Sequence, residues 1–290
     1  MLPRGLEIVF FGMNTPATMA WLCGKRAVSL RVGRPFILGI LNLTPDSFSD
    51  GGKYVQRIDA VRQGIALLDE ADGLDIGGES TRPGAEAVSA REERARVIPI
   101  LKEIRKERPD AFLSLDTYKA EVVKAAMGEA EVEVINDVGG GTWDPQMWAV
   151  VAEFGVGYIC MHSGAKPQTM QDDPHYGDVV GEVGEFFAER LAGLGKAGIA
   201  QERVVVDVGI GFGKTVEHNE TLLRANWDGL GRPLCWGLSR KSFLQGVQTE
   251  KKLKNRDEAL DWWNRELGQR ELPMVWRVHE PGRISRSIAE

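Results

Sequence analysis

From Ile37 to His279 the chain alternates short, nearly unbroken apolar runs with stretches whose apolar residues recur at three- and four-residue spacing. Runs buried on both faces of a parallel sheet read this way, because helices cover both sides. The apolar runs fall at 37–42, 73–77, 112–116, 133–136, 156–161, 204–207, 234–237 and 274–279. Helical spacing fills the intervals at 57–71, 91–107, 120–127, 148–154, 179–194, 217–226 and 258–267. In the second of these helices Val97, Ile98, Leu101 and Ile104 share one face. Eight strands with helices between them predict a parallel sheet, and the count suits a (β/α)8 TIM barrel. An open doubly wound sheet is the competing topology. Ahead of the first run, 27–32 alternates apolar and polar residues as a half-exposed strand does. We expect residues 1–36 to form an extension with a hairpin capping the barrel bottom, and residues 37–290 to form the barrel as one unit.

Composition narrows the class. The chain has 290 residues and a formal net charge of −6, a balance that argues against a nucleic-acid partner. Its 3 cysteines, Cys23, Cys160 and Cys235, are too few and too scattered for a disulfide framework or a metal-ligand spacing. A reduced, cytoplasmic protein is the expected setting. No apolar run reaches ~18 residues, so no membrane span is expected. The apolar patch from Val9 to Met13, with Glu7 just before it, does not read as a signal peptide.

Chemistry enters through position. Asn42, Asp75, Asp116, Asn136, Asp207, Lys241, Arg277 and His279 all fall at or near the C-terminal ends of the predicted strands. In a barrel those ends converge on the face where active sites are built. Any one of them could be a helix cap or a turn residue. Together they make a ligand site. The loop after Asn42 runs about 14 residues, where a plain βα turn takes a handful. Asp and Asn offer acceptors and donors to a flat polar heterocycle. Lys241, Arg277 and, in the second loop, Arg82 suit phosphoryl oxygens. Asn42 and Asp50 are hard oxygen donors, which suit Mg²⁺. A phosphorylated ring substrate fits this set, and no protein nucleophile is evident. The stretch Gly209-Ile210-Gly211-Phe212-Gly213-Lys214-Thr215 imitates a Walker A loop, but Val208 stands where that motif needs glycine. His162, a lone strand-end histidine, is balanced between a structural hydrogen bond and a ligand contact. His175 and His218 read as surface residues.

The motifs on these loops resemble those of the dihydropteroate synthase family. Leu41-Asn42-Leu43-Thr44-Pro45-Asp46-Ser47-Phe48-Ser49-Asp50-Gly51-Gly52 is similar to the family's first loop, and Gly77-Gly78-Glu79-Ser80-Thr81-Arg82-Pro83-Gly84 to its second. Asp116-Thr117-Tyr118-Lys119, Ile135-Asn136-Asp137, Met161-His162, Thr169-Met170-Gln171, Ser239-Arg240-Lys241-Ser242-Phe243 and Arg277-Val278-His279 follow in the family's order. The resemblance implies a transferase of folate biosynthesis, the target class of sulfonamides. It would condense p-aminobenzoate with 6-hydroxymethyl-7,8-dihydropterin diphosphate, using Mg²⁺. By motif, Asp116, Asn136, Asp207 and Lys241 would hold the pterin. Asn42, Arg277 and His279 would take the diphosphate, with Asn42 and Asp50 near the metal. Phe48, Thr81, Arg82, Pro83 and Ser239 would frame p-aminobenzoate. Asp116, Asp207, Lys241 and Arg82 would be the catalytic set.

Departures are local. Val208 replaces the proline usual after Asp207, Glu280-Pro281 replaces Asp-Val, and 244–273 follows the family poorly. Only 11 residues follow His279. The family's usual homodimer uses helices near that end, so these changes bear on dimerisation more than on catalysis. A non-catalytic pterin-binding paralogue and a methyltetrahydrofolate methyltransferase are the alternatives.

Overall fold

The computed structural model describes residues 17–44, 53–82 and 84–284, excepting the side chains of 53–56. A hairpin comes first, β1 (Thr18–Cys23) antiparallel to β2 (Arg26–Arg31). Then β3 (Phe36–Asn42), β4 (Gly73–Gly77), β5 (Leu113–Asp116), β6 (Val134–Asp137), β7 (Gly157–Met161), β8 (Val204–Asp207), β9 (Leu234–Trp236) and β10 (Met274–Val278) close a parallel barrel. Neighbours pair in chain order, and β10 closes the ring on β3. The (β/α)8 expectation therefore holds, and an open sheet does not.

The helices that lie outside include, among the described residues, α1 (Lys53–Leu68), α2 (Ala90–Glu107), α3 (Ala120–Glu129), α4 (Met147–Phe154), α5 (Val179–Lys196), α6 (Val216–Arg224), α7 (Leu244–Glu250) and α8 (Arg256–Gly268). Local chemistry starts and stops them. Ser89 accepts the backbone N–H of Glu92 at the start of α2. Acids occupy the first turn of that helix and Arg105 and Lys106 the last, as the helix dipole favours. Thr215 and His218 close a reciprocal capping box on α6, which gives His218 a structural task. The stretch 244–273, which departs from the family pattern, folds as α7, a turn and α8.

Strand side chains alternate between helices and barrel interior. The inward set changes character along the axis. At the N-terminal end Leu38, Phe112, Val134, Ile159, Val205, Cys235 and Val275 form an apolar layer, closed from below by Trp21, Cys23 and Leu30 of the hairpin. One inward position further along stand Asp75, Ser114, Asn136, Asp207 and Arg277, all buried. The barrel is thus plugged below and polar above, which is what makes its upper mouth a site.

Trp21 is the centre of the plug. It is 0% exposed, packs on Phe36 and Phe112, and donates its indole N–H to the Arg203 carbonyl at 3.0 Å. Trp21→Ala is expected to cost about 3–5 kcal/mol of stability in chemical denaturation. A loss below about 1 kcal/mol would mean that the hairpin is not part of the cooperative core.

Candidate active site

Asp75 is the hub of the polar layer. Strand pairing sets Asp75 opposite Ser114 and Asp116 opposite Asn136. Asp75 accepts from the Ser114 hydroxyl at 2.6 Å, from the Asn136 amide at 3.1 Å and from Arg277 Nε at 2.7 Å. Arg277 Nη2 also reaches Asp116 at 2.7 Å. Burial alone would lower the Arg277 pKa, but Asp75 and Asp116 hold it above its ordinary value. The Asp116 carboxyl is pushed up to about 7, chiefly by burial, against the pull of Arg277 and with Asp75 adding to the push. The arginine is therefore permanently charged, while Asp116 sits close to its own titration.

The other half of the mouth is built on β8 and β9. Asp207, the last residue of β8, accepts the backbone N–H of Gly209 at 2.8 Å. Gly209 has φ +70° and an added Cβ would stand 1.8 Å from the His162 carbonyl, so only glycine turns the chain here. Val208 is fully buried among apolar side chains, and β8 still ends on Asp207. Lys241 donates to the Ile210 carbonyl and lies 4.8 Å from the Phe212 ring centroid. Burial lowers the Lys241 ammonium to about 8, with Asp207 opposing and Arg277 reinforcing. Lys241 and Arg277 flank one glycine: a Cβ on Gly237 would stand 3.8 Å from Lys241 Nζ and 3.7 Å from Arg277 Nη1.

His279 follows β10, with Nδ1 3.0 Å from the Ser239 hydroxyl. Burial lowers its pKa to about 4, helped by Arg240, Arg277, Arg82 and Lys241, so at neutral pH it is an uncharged imidazole. Asn42 ends β3, beside Gly77 of β4. Thr81 is half-buried and Arg82 exposed in the loop after β4. Phe48, Asp50 and Pro83 lie outside the described residues. Among the described residues no group of three or more His, Cys, Asp or Glu side chains is placed to hold a metal ion. One amide oxygen from Asn42 nonetheless fits Mg²⁺, which takes few protein ligands and draws the rest from substrate phosphates and water.

Two expectations need correction. Asp75 is not a rim residue: it is the middle residue of β4, 1% exposed, one layer below the mouth. The predicted strand 274–279 ends at Val278, so His279 belongs to the loop. The expected capping hairpin is present, with β1 paired to β2 across six residue pairs. His162 resolves as structural. It is 7% exposed, its Nδ1 lies 2.9 Å from Lys214 Nζ, and its ring meets Phe186 edge-on. Burial and Lys214 lower its pKa to about 3, so it stays neutral. Lys214, at the end of the Gly209–Lys214 stretch that imitates a Walker loop, is itself buried and donates to the Phe212 carbonyl at 2.9 Å. Its conformation follows from the glycines around it, the one signal that the loop folds inward.

This arrangement offers a flat ring two carboxylates, an amide and an ammonium, and offers an anion a guanidinium and a neutral imidazole. The family described as pterin binding enzyme matches residues 38–264. The dihydropteroate synthase of Synechocystis sp. is 43% identical over 226 residues, covering 77% of this chain and 78% of that protein. That of Escherichia coli is 41% identical over 222 residues, covering 76% of this chain and 78% of its own. Among solved structures, a Xanthomonas albilineans dihydropteroate synthase with 4-aminobenzoic acid superposes with a TM-score of 0.82 at 36% identity, over 94% of this chain and 96% of that one. The same organism's enzyme in complex with 7,8-dihydropteroate gives a TM-score of 0.77 at 34% identity, over 93% and 96%.

Proposed function

The chain belongs to the pterin binding enzymes and, among them, to the dihydropteroate synthases, which are transferases; from that premise we propose how its barrel mouth divides the work of condensation. The substrates are p-aminobenzoate and 6-hydroxymethyl-7,8-dihydropterin diphosphate, and the products are 7,8-dihydropteroate and diphosphate. Asp116, Asn136, Asp207 and Lys241 hold the pterin. Arg277, His279 and Asn42 take the diphosphate. Thr81, Arg82 and Ser239, with Phe48 and Pro83, frame p-aminobenzoate. The observation that carries this division is the pairing of Arg277 with Asp75 and Asp116, which joins a carboxylate–amide ring to a permanent cation at one mouth.

The chemistry follows from charge. The bond between the pterin methylene carbon and the diphosphate oxygen breaks, and its electron pair leaves with the oxygen. Arg277 meets the negative charge that grows there, which lowers the barrier because the charge is larger in the transition state than in the substrate. His279 is neutral and acts as a hydrogen-bond partner. The buried Asp207 carboxylate opposes the positive charge left on the pterin. The amine of p-aminobenzoate forms the new C–N bond with its lone pair and releases one proton. Asn42 and Asp50 would hold Mg²⁺, which when bound offsets diphosphate charge.

The test is diphosphate release and dihydropteroate formation by the purified protein, with each substrate and Mg²⁺ omitted in turn. Release that requires all three supports the proposal. Pterin binding without turnover would favour the non-catalytic paralogue, and turnover indifferent to Mg²⁺ would remove Asn42 and Asp50 from a metal role.

A further inference from the structure

The loop after β4 carries Thr81 and Arg82, and its base is held by a buried cluster that the division of roles above does not use. Lys119 sits between two carboxylates, pairing with Glu79 and with Glu93 of α2. Their side chains are 5% and 1% exposed, and that of Lys119 is 15% exposed. The Tyr118 hydroxyl donates to Glu79 at 2.8 Å. Arg96, also on α2, donates to the Gly78 carbonyl at 2.7 Å. Gly78 admits this approach: a Cβ there would stand 2.8 Å from Val97 and 3.1 Å from the Glu93 side chain. At the far end of the loop the Gly84 N–H donates to the Pro167 carbonyl at 3.0 Å. Thr81 and Arg82 therefore lie on a short span between two fixed points.

The cluster also reaches the pterin half. Lys119 follows Asp116 by three residues, and Thr117 between them donates its backbone N–H to the Asn136 carbonyl at 3.1 Å. Asp116 itself is held by Arg277, so the Lys119 ammonium fixes the loop that frames p-aminobenzoate without setting that carboxylate. The cluster is not built for stability alone. It holds two carboxylates against one ammonium, and Glu93 Oε1 is buried with no hydrogen-bond partner. Buried ion pairs of this kind are weak stabilisers compared with apolar packing. Burial also pushes the Glu93 carboxyl up, despite Lys119.

We propose that Glu79, Lys119 and Glu93 are positioning residues that set the second loop over the mouth and so govern capture of p-aminobenzoate rather than of the pterin. The proposal rests on the substrate division given above. A misplacement near 1 Å is enough to lower a reaction by large factors without any contact being lost at the reacting atoms.

The test varies each substrate in turn for the wild type, Glu79→Gln, Glu79→Asp, Lys119→Met and Lys119→Arg, with equilibrium titration of the pterin by intrinsic fluorescence. Glu79→Gln and Lys119→Met are expected to raise the KM for p-aminobenzoate about tenfold and to leave pterin affinity unchanged. Lys119→Arg, which keeps the charge, is expected to recover most of that loss. Glu79→Asp retracts the carboxylate by one methylene and gives the same selective rise should Glu79→Gln fail to fold. An unshifted KM for p-aminobenzoate, or a parallel loss of pterin affinity, overturns the positioning role. A wild type that condenses nothing overturns the substrate division instead, so the two failures are distinguishable.

Discussion

Arg277→Ala is expected to abolish condensation, with kcat/KM falling by at least about 10³-fold, and to destabilise the ligand-free protein by about 3–5 kcal/mol. The kinetic loss comes from removing the permanent cation that meets the leaving diphosphate. The stability loss comes from what remains: Asp75 keeps its bonds from Ser114 and Asn136, while Asp116, one layer above it, loses its guanidinium. Asp116, already pushed up to about 7, moves higher and holds its proton at neutral pH. It would then offer the pterin a donor where an acceptor is needed. The pH dependence has a definite sign. A carboxyl whose folded pKa lies above its unfolded value gives stability below the unfolded pKa and loses it as pH rises through the folded one. Below about pH 7 both folded proteins hold the Asp116 proton and lose stability alike, so the gap between wild type and Arg277→Ala should widen only above that, between about pH 7 and pH 9. Arg277→Lys keeps a charge but not the fork that spans two acids, so it recovers stability better than turnover. Diphosphate-release assays and urea titrations at the two pH values check both effects. Unchanged turnover would remove Arg277 from the anion site, and a pH-independent gap would mean that Arg277 does not govern the two acids.

The barrel was legible because burial on both faces leaves a simple mark: eight short, mostly apolar runs, each ending near a polar residue. What the pattern could not give was depth. Asp75 and Asp116 look alike as strand residues. Which one is the hub depends on the stagger between β4 and β5, and that stagger is a property of barrel closure. The first hairpin strand hid for a different reason. Met19, Ala20, Trp21, Leu22 and Cys23 are apolar in succession, so the two-residue alternation that marks β2 is invisible in β1. The short α7 offers only Leu244 and Val247 as buried anchors, too few for a periodic signal. Within the mouth, the motif residues were legible one by one. The contacts joining them were not, because Asp75 and Arg277 are 202 positions apart and Glu79 and Lys119 are 40. Long-range ion pairs leave no trace in spacing.

The Asp207→Asn variant isolates charge from shape. The Asn side-chain oxygen can still accept the Gly209 N–H, so the turn after β8 has no reason to move. What disappears is the negative charge that supports two lysines. Burial lowers Lys241 to about 8 and Lys214 to about 7, and in each case Asp207 is the leading influence in the other direction. Without it both fall further, and a larger share of Lys241 is uncharged at neutral pH. The pterin then loses a carboxylate on one side and an ammonium on the other, and the positive charge that develops in the transition state meets no counter-charge on β8. A fall in kcat/KM of about 10²–10³-fold is expected. The wild-type profile supplies the internal control. Lys241 is charged below its pKa and neutral above it, so kcat/KM should decline as pH rises through about 8. Asp207→Asn should carry that decline to lower pH, because the ammonium is easier to deprotonate. Lys241→Arg cannot deprotonate in this range and should flatten the profile to about pH 9. A decline that survives unmoved in Lys241→Arg would belong to another group. Lys214, whose Nζ is buried against His162, is then the next to replace. A decline that moves in Asp207→Asn and vanishes in Lys241→Arg would tie carboxylate and ammonium together as one unit of pterin recognition.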